Sequence, residues 1–129
     1  MRVFLVEDSR ILAPQLIEMI ESVPGAVVVG HAVDAKTASA EIARLRPHVA
    51  VIDISLKQGT GFDVLKSFEH LEQRPLSIML TNYVSAPVRA SAWRHGVDHF
   101  FDKARDIRML VDTLTALALR PDMRNGSEG

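Results

Sequence analysis

The sequence predicts an α/β fold, a doubly wound parallel sheet of five strands covered by helices on both faces. Three observations predict it. Five short apolar runs alternate with segments of helical apolar spacing, each run ends at or just before a polar residue, and the 129-residue chain has the size of one domain.

The first run, Val3-Phe4-Leu5-Val6, reads as a buried strand over residues 2–6 that delivers Glu7 and Asp8 at its carboxyl end. Ile11, Leu12, Leu16, Ile17, Met19 and Ile20 then recur at near-helical spacing until Val23-Pro24-Gly25 stops the element. Pro14 fits only in the first turn of that helix, because an interior proline loses a backbone bond. Val27–His31 forms the second strand, Ala35–Leu45 the second helix, closed by Pro47, and Val49–Ile54 the third strand, with Asp53 at its end. A loop holding Gly59 and Gly61 leads to a third helix from about Phe62 to Leu71, and Leu76–Leu80 is a fourth strand ending at Thr81. Ser85-Ala86-Pro87 starts a fourth helix that Gly96 terminates, and Val97–Phe101 makes the fifth strand before Lys103. Asp106 is placed to cap a last helix over 107–119. The domain is thus expected to span 1–119, with 120–129 a mobile tail lacking apolar period.

Apolar residues make up 47% and charged residues 24% of the chain, a balance that sustains a packed core and excludes a disordered chain. The 15 Lys and Arg against 16 Asp and Glu leave no basic footprint for nucleic acid, so no direct nucleic-acid partner is expected. With no cysteine there is neither a disulfide framework nor a thiolate metal site. No apolar run approaches a membrane span and no signal-peptide pattern opens the chain, which points to the cytoplasm.

In open parallel sheets, ligands bind beyond the carboxyl ends of the strands. Glu7, Asp8, Asp53, Thr81 and Lys103 all follow such ends, so the topology gathers them into one candidate site. Three carboxylates there repel one another unless a cation neutralises them, and magnesium, which takes oxygen ligands and keeps several waters, suits the need. Asp53 can then attack a phosphorus atom to give an acyl phosphate, with Lys103 stabilising the transferring oxygens and the Thr81 hydroxyl donating to one of them.

Over about residues 2–119 the chain resembles response-regulator receiver domains of two-component signalling, of the single-domain type. The marks are Glu7-Asp8, Asp53, Gly61, Thr81, Gly96, Phe100 and Lys103, in the family's order and on the expected strand ends. The resemblance implies a flavodoxin-like sheet of strand order 2-1-3-4-5 and a phosphoacceptor switch that is not itself an enzyme. It also implies that Asp53 takes a phosphoryl group from a histidine kinase or phosphotransfer protein, with Asp8, Asp53 and the Ser55 backbone carbonyl ligating Mg2+. Glu7 would act through a metal-bound water. Thr81 and Lys103 would hold the phosphoryl oxygens, and Phe100 would turn inward as Thr81 moves, reshaping the face of the fourth helix, fifth strand and fifth helix for a downstream protein or a phosphorylation-dependent homodimer.

The sequence also departs from the family pattern. Ala104 follows Lys103 where proline is frequent, so a trans peptide is expected there, and the loop from Leu56 to Gly61 lacks a proline common at that point. Tyr83 and Ser55 fall at variable positions bordering the phosphoryl group, and Phe100 stands where tyrosine is frequent, which favours apolar packing inward. Plainer roles stay open residue by residue: Asp8 and Ser9 as helix caps, Lys103 as a solvated lysine, Phe100 and Trp93 as core, Arg89 and Arg94 as solvated surface. Two other functions also stay open. One is the excised receiver half of a longer transcriptional regulator or enzyme; the other is a Mg-dependent phosphohydrolase, although Ser55 stands where a second acid would be expected.

Overall fold

The computed structural model describes residues 1–124; the remainder of the expected tail, residues 125–129, lies outside the described residues. The elements are β1 (Arg2–Val6), α1 (Leu12–Glu21), β2 (Val27–Ala32), α2 (Ala35–Leu45), β3 (Val49–Ile52), α3 (Gly61–Ser67), β4 (Leu76–Thr81), α4 (Ala86–Arg94), β5 (His99–Asp102) and α5 (Ile107–Ala118). Short 3-10 turns follow α3 at Phe68–His70 and α5 at Pro121–Met123. The five strands form one sheet in the order β2-β1-β3-β4-β5, every neighbouring pair parallel, as the alternation of strand and helix predicts. Among the described residues no helix is long and apolar enough to cross a membrane.

Side chains alternate across a strand, and the alternation here divides the apolar residues into two cores. Phe4, Val6, Ala50, Ile52, Met79 and Phe100 pack on one face with Ala38 and Ile42 of α2, Val64 and Leu65 of α3, and Ala92 of α4. Val3, Leu5, Val49, Val51, Ile78, Leu80 and Phe101 pack on the other with Leu16 and Ile20 of α1 and Leu110 and Leu114 of α5. Nearly continuous burial along β1, β3 and β4 follows from helices on both sides.

Local chemistry fixes where the elements start. Asp34 accepts from the Thr37 N–H at 2.7 Å, Thr60 and Asp63 form a reciprocal capping box, and Ser85 accepts from the Val88 N–H with Pro87 in the first turn. Pro14 is the third residue of α1, where its missing N–H is an orphan in any helix. Gly61 is required by close approach. A Cβ there would lie 2.4 Å from the Asp53 carbonyl oxygen and 3.0 Å from Ile52 Cγ2, while the Gly61 N–H donates to the Ile54 carbonyl at 2.8 Å. Gly61→Ala must therefore push α3 away from the end of β3, and a loss of about 1–3 kcal/mol is expected in urea unfolding.

Several expectations need correction. The third strand ends at Ile52, because the Asp53 carboxylate takes the Ile54 N–H at 2.7 Å in place of a ladder partner. The fifth begins at His99 and not Val97, whose N–H turns back to the Ala92 carbonyl to close α4 around the left-handed Gly96. Asp106 does not cap α5 with its side chain, which accepts instead from the Asp102 N–H at 2.9 Å. Trp93 is 53% exposed: Val88 and Ala92 carry the inward face of α4, and the next position lies about 100° round the helix. Within the stretch expected as a tail, Met123 is 7% exposed and packs with the core under α1 and α5. Finally, the Lys103–Ala104 bond is trans as expected, and the described residues contain no cis peptide.

Candidate functional site

The sheet register brings the acidic residues together. Val6 of β1 is level with Ile52 of β3, so Glu7 and Asp53 leave adjacent strands at the same height. The Asp53 N–H donates to the Val6 carbonyl at 3.0 Å, which fixes the backbone at the point where the side chain turns into the site. Thr81 is level with Asp102 across β4 and β5, and the Lys103 N–H donates to the Thr81 carbonyl at 2.8 Å. Hydrogen bonds from the Ala104 N–H to the Asp102 carboxylate and from the Asp106 N–H to the Asp102 carbonyl shape the turn that aims Lys103 back over the sheet edge.

At that edge the Lys103 ammonium bridges two carboxylates. Its Nζ donates to Asp53 Oδ2 at 2.6 Å and to Glu7 Oε1 at 2.7 Å. The other oxygens are engaged as well: Asp53 Oδ1 by the Ile54 N–H and Glu7 Oε2 by the Ser9 N–H at 3.0 Å. Glu7 is 2% and Asp53 6% exposed, so both charges sit where Coulomb attraction is stronger than in water and an unpaired carboxylate would be costly. Burial by itself pulls the Lys103 pKa down, but the hydrogen bonds and charges of Asp53 and Glu7 outweigh it and hold the ammonium above the ordinary lysine value.

Asp8 is the more open third acid. It offers an oxygen that lies, with one each from Glu7 and Asp53, in a group spanning no more than 4.8 Å. Oxygens around one magnesium at about 2.1 Å stand about 3–4 Å apart in an octahedron, so small side-chain rotations bring this set to the required size. A donor set made only of oxygens also suits a hard cation over a thiophilic one. The residues fit the ion expected from the sequence.

The remaining predicted residues surround this cluster. Ser55 is exposed, two positions beyond Asp53, and pairs with Thr60 in an isolated antiparallel bridge that closes the loop. Thr81 is fully buried, and its Oγ1 accepts from the Tyr83 N–H at 3.2 Å. Phe100 is 8% exposed in the core beneath, level with Met79, on the sheet face shared by alternation with Thr81.

Two further residues border this neighbourhood. His31, the next-to-last residue of β2, places Nε2 2.7 Å from the Glu7 carbonyl oxygen, a structural contact. Arg89, expected to be solvated, is half-buried, its Nε donating to the Val84 carbonyl at 3.1 Å and its guanidinium carbon 4.9 Å from the Phe100 ring centroid. Neither contact has a signature in spacing. A cavity of about 550 Å³, lined by Arg46, His48, Arg74, Asp98 and Arg120 among others, opens at the amino ends of the strands and contains none of the clustered acids.

Comparison with known proteins agrees with the fold. The family model for the response regulator receiver domain matches residues 3–115. The chain is 27% identical to the DNA-binding transcriptional activator DevR/DosR of Mycobacterium tuberculosis, over 98% of its own length and 64% of the relative's. It is 32% identical to a protein-glutamate methylesterase/protein-glutamine glutaminase of Saccharophagus degradans, over 81% of its own length and 30% of that protein's. The chain therefore spans less than two thirds of the length of these relatives. Among solved structures, the response regulator domain of Thermotoga maritima CheB superposes with a TM-score of 0.79 at 26% identity, covering 92% of each chain.

Proposed function

Because this chain belongs to the response regulator receiver domain family, whose members are phosphoacceptor switches, we propose that Asp53 is its phosphoacceptor. The observation that carries the assignment is the Lys103 ammonium bridging Asp53 and Glu7 at the carboxyl edge of the sheet, with Asp8 completing the acidic group.

An Asp53 carboxylate oxygen attacks the phosphorus of the donor, forming an aspartyl phosphate as the bond from phosphorus to its leaving group breaks. With a phosphohistidine donor, that bond is to an imidazole nitrogen, which keeps the electron pair. Lys103 already lies against the attacking carboxylate and needs only a short swing to a phosphoryl oxygen. Thr81 Oγ1 serves as an acceptor to the Tyr83 N–H, which leaves the hydroxyl proton available for a second phosphoryl oxygen. Magnesium, held by Asp8, Asp53 and the Ser55 carbonyl with Glu7 acting through water, would supply countercharge to the transferring oxygens. Thr81, drawn toward the new dianion, displaces the connection from β4 to α4, and Phe100 beneath it responds.

The donor is a histidine kinase or phosphotransfer protein and the setting is the cytoplasm. The readout is a protein surface formed by α4, β5 and α5, recognised by a downstream partner or a second phosphorylated copy. Nearly balanced charge supports a protein partner over direct contact with nucleic acid.

Incubation with a small acyl phosphate and magnesium, followed by intact-mass measurement, tests the reading. One phosphoryl group should be gained, and chelation of the metal should largely suppress the gain. No gain in the presence of magnesium would overturn the assignment.

A further inference from the structure

Arg89 lies in the first turns of α4, its N–H bonded to the Ser85 carbonyl at 3.0 Å. Side chains on a helix lean toward its amino end, so this one reaches back over the connection that leads into its own helix. There it makes two contacts at once. Its Nε donates to the Val84 carbonyl at 3.1 Å, and its guanidinium carbon stands 4.9 Å from the Phe100 ring centroid, inside the range of a cation–π interaction. Among the described residues no ion pair engages Arg89, so its charge is committed to a backbone carbonyl and an aromatic face. Val84 also packs against the core that contains Phe100. The connection carrying Val84 begins at Thr81, whose hydroxyl is tied to the Tyr83 N–H.

We propose that Arg89 is a positioning residue that couples the Thr81–Ser85 connection to Phe100. The inference rests on reading Thr81 and Phe100 as the moving pair of the switch. One rigid guanidinium grips both, so displacement of the connection moves the charge over the ring, and a change at the ring pulls on the connection. Loss of such a contact at a partly exposed site changes a two-state ratio by about two- to fivefold. Phe100 also packs in the core with Met79 and Ala92, so removing Arg89 should uncouple the parts while leaving that packing in place.

The test follows two signals when magnesium and beryllofluoride, a phosphoryl mimic, are added: the Tyr83 amide by 15N NMR, and the ring of a 4-fluorophenylalanine placed at position 100 by 19F NMR. In the otherwise wild-type protein both should shift together. In Arg89→Ala the amide should still shift while the ring response falls at least about twofold, and Arg89→Lys, which keeps a cation but loses the planar donor, should restore part of it. Should Arg89→Ala fail to fold, the Arg89→Lys comparison carries the test, with a ring response reduced relative to the amide response as the expected result. A variant with lower melting temperature but an unchanged ratio of ring to amide response would overturn the coupling and leave the switch standing. Absence of any response at either signal in the wild-type protein would overturn both.

Discussion

Asp53→Asn is expected to abolish phosphoryl uptake while leaving a folded protein. An amide oxygen is far less nucleophilic than a carboxylate, and the acyl phosphate has no equivalent at asparagine. The fold tolerates the change because Lys103 retains its hydrogen bond to Glu7 at 2.7 Å. The amide has one acceptor for the two donors now served by Asp53, Lys103 Nζ and the Ile54 N–H, and so loses part of one interaction. Against that, one negative charge leaves a cluster of three. The net change in stability should stay within about 1 kcal/mol. Intact mass after treatment with acyl phosphate and magnesium, read beside a thermal melt, separates lost chemistry from lost fold. If the Asp53→Asn protein gained a phosphoryl group as readily as wild type, the nucleophile would be another residue, with Asp8 the first to examine.

Lys103→Met should have the larger effect on stability. Methionine replaces the aliphatic stem but leaves Glu7 and Asp53, 2% and 7% exposed at their side chains, without the ammonium that bridges them. Breaking a buried pair from one side is costlier than deleting both partners, and a loss of about 3 kcal/mol is expected in metal-free urea unfolding. Magnesium should recover part of it, because an ion that binds the folded acidic cluster stabilises the native state by mass action. The pH dependence has a definite sign. The folded protein holds Lys103 above the ordinary lysine value, so the contribution of the ammonium is complete below that value and is lost as pH rises through the raised one. The gap between wild type and Lys103→Met should therefore be constant near neutrality and narrow in strongly alkaline buffer. A gap independent of pH throughout would show that the lysine acts by packing alone. Transfer to Asp53 should also slow in the variant, since no other cation on the chain reaches this carboxylate within salt-bridge distance among the described residues.

Most of this architecture was legible in the sequence, for a physical reason. Parallel strands buried on both faces are written as unbroken apolar runs, and the first polar residue after each run marks the sheet edge where ligands bind. Glu7, Asp53 and Lys103 could thus be placed at one edge before any contact was known, although Lys103 and Glu7 are 96 positions apart. What could not be read were choices among competing partners. Asp106 is a good capping residue by type, yet its carboxylate is taken by the Asp102 N–H, and only the turn geometry decides between them. Met123 sits in a polar stretch with no apolar period, so its burial rests on tertiary packing against the core under α1 and α5, which spacing does not encode. Arg89 is the same case on the surface: composition assigns it to water, and only the fold offers it a ring and a carbonyl.

The adjacent residues Phe100 and Phe101 belong to opposite sides of the sheet, one in the core under α2, α3 and α4, the other in the core under α1 and α5. The sheet works as a bulkhead. Rearrangement of the first aromatic can be absorbed in its own compartment while its neighbour keeps β5 moored to the other. On the proposed switch, the phosphorylated form would need no loosening of the whole protein: one half would move and the other would provide the fixed frame against which the movement is felt.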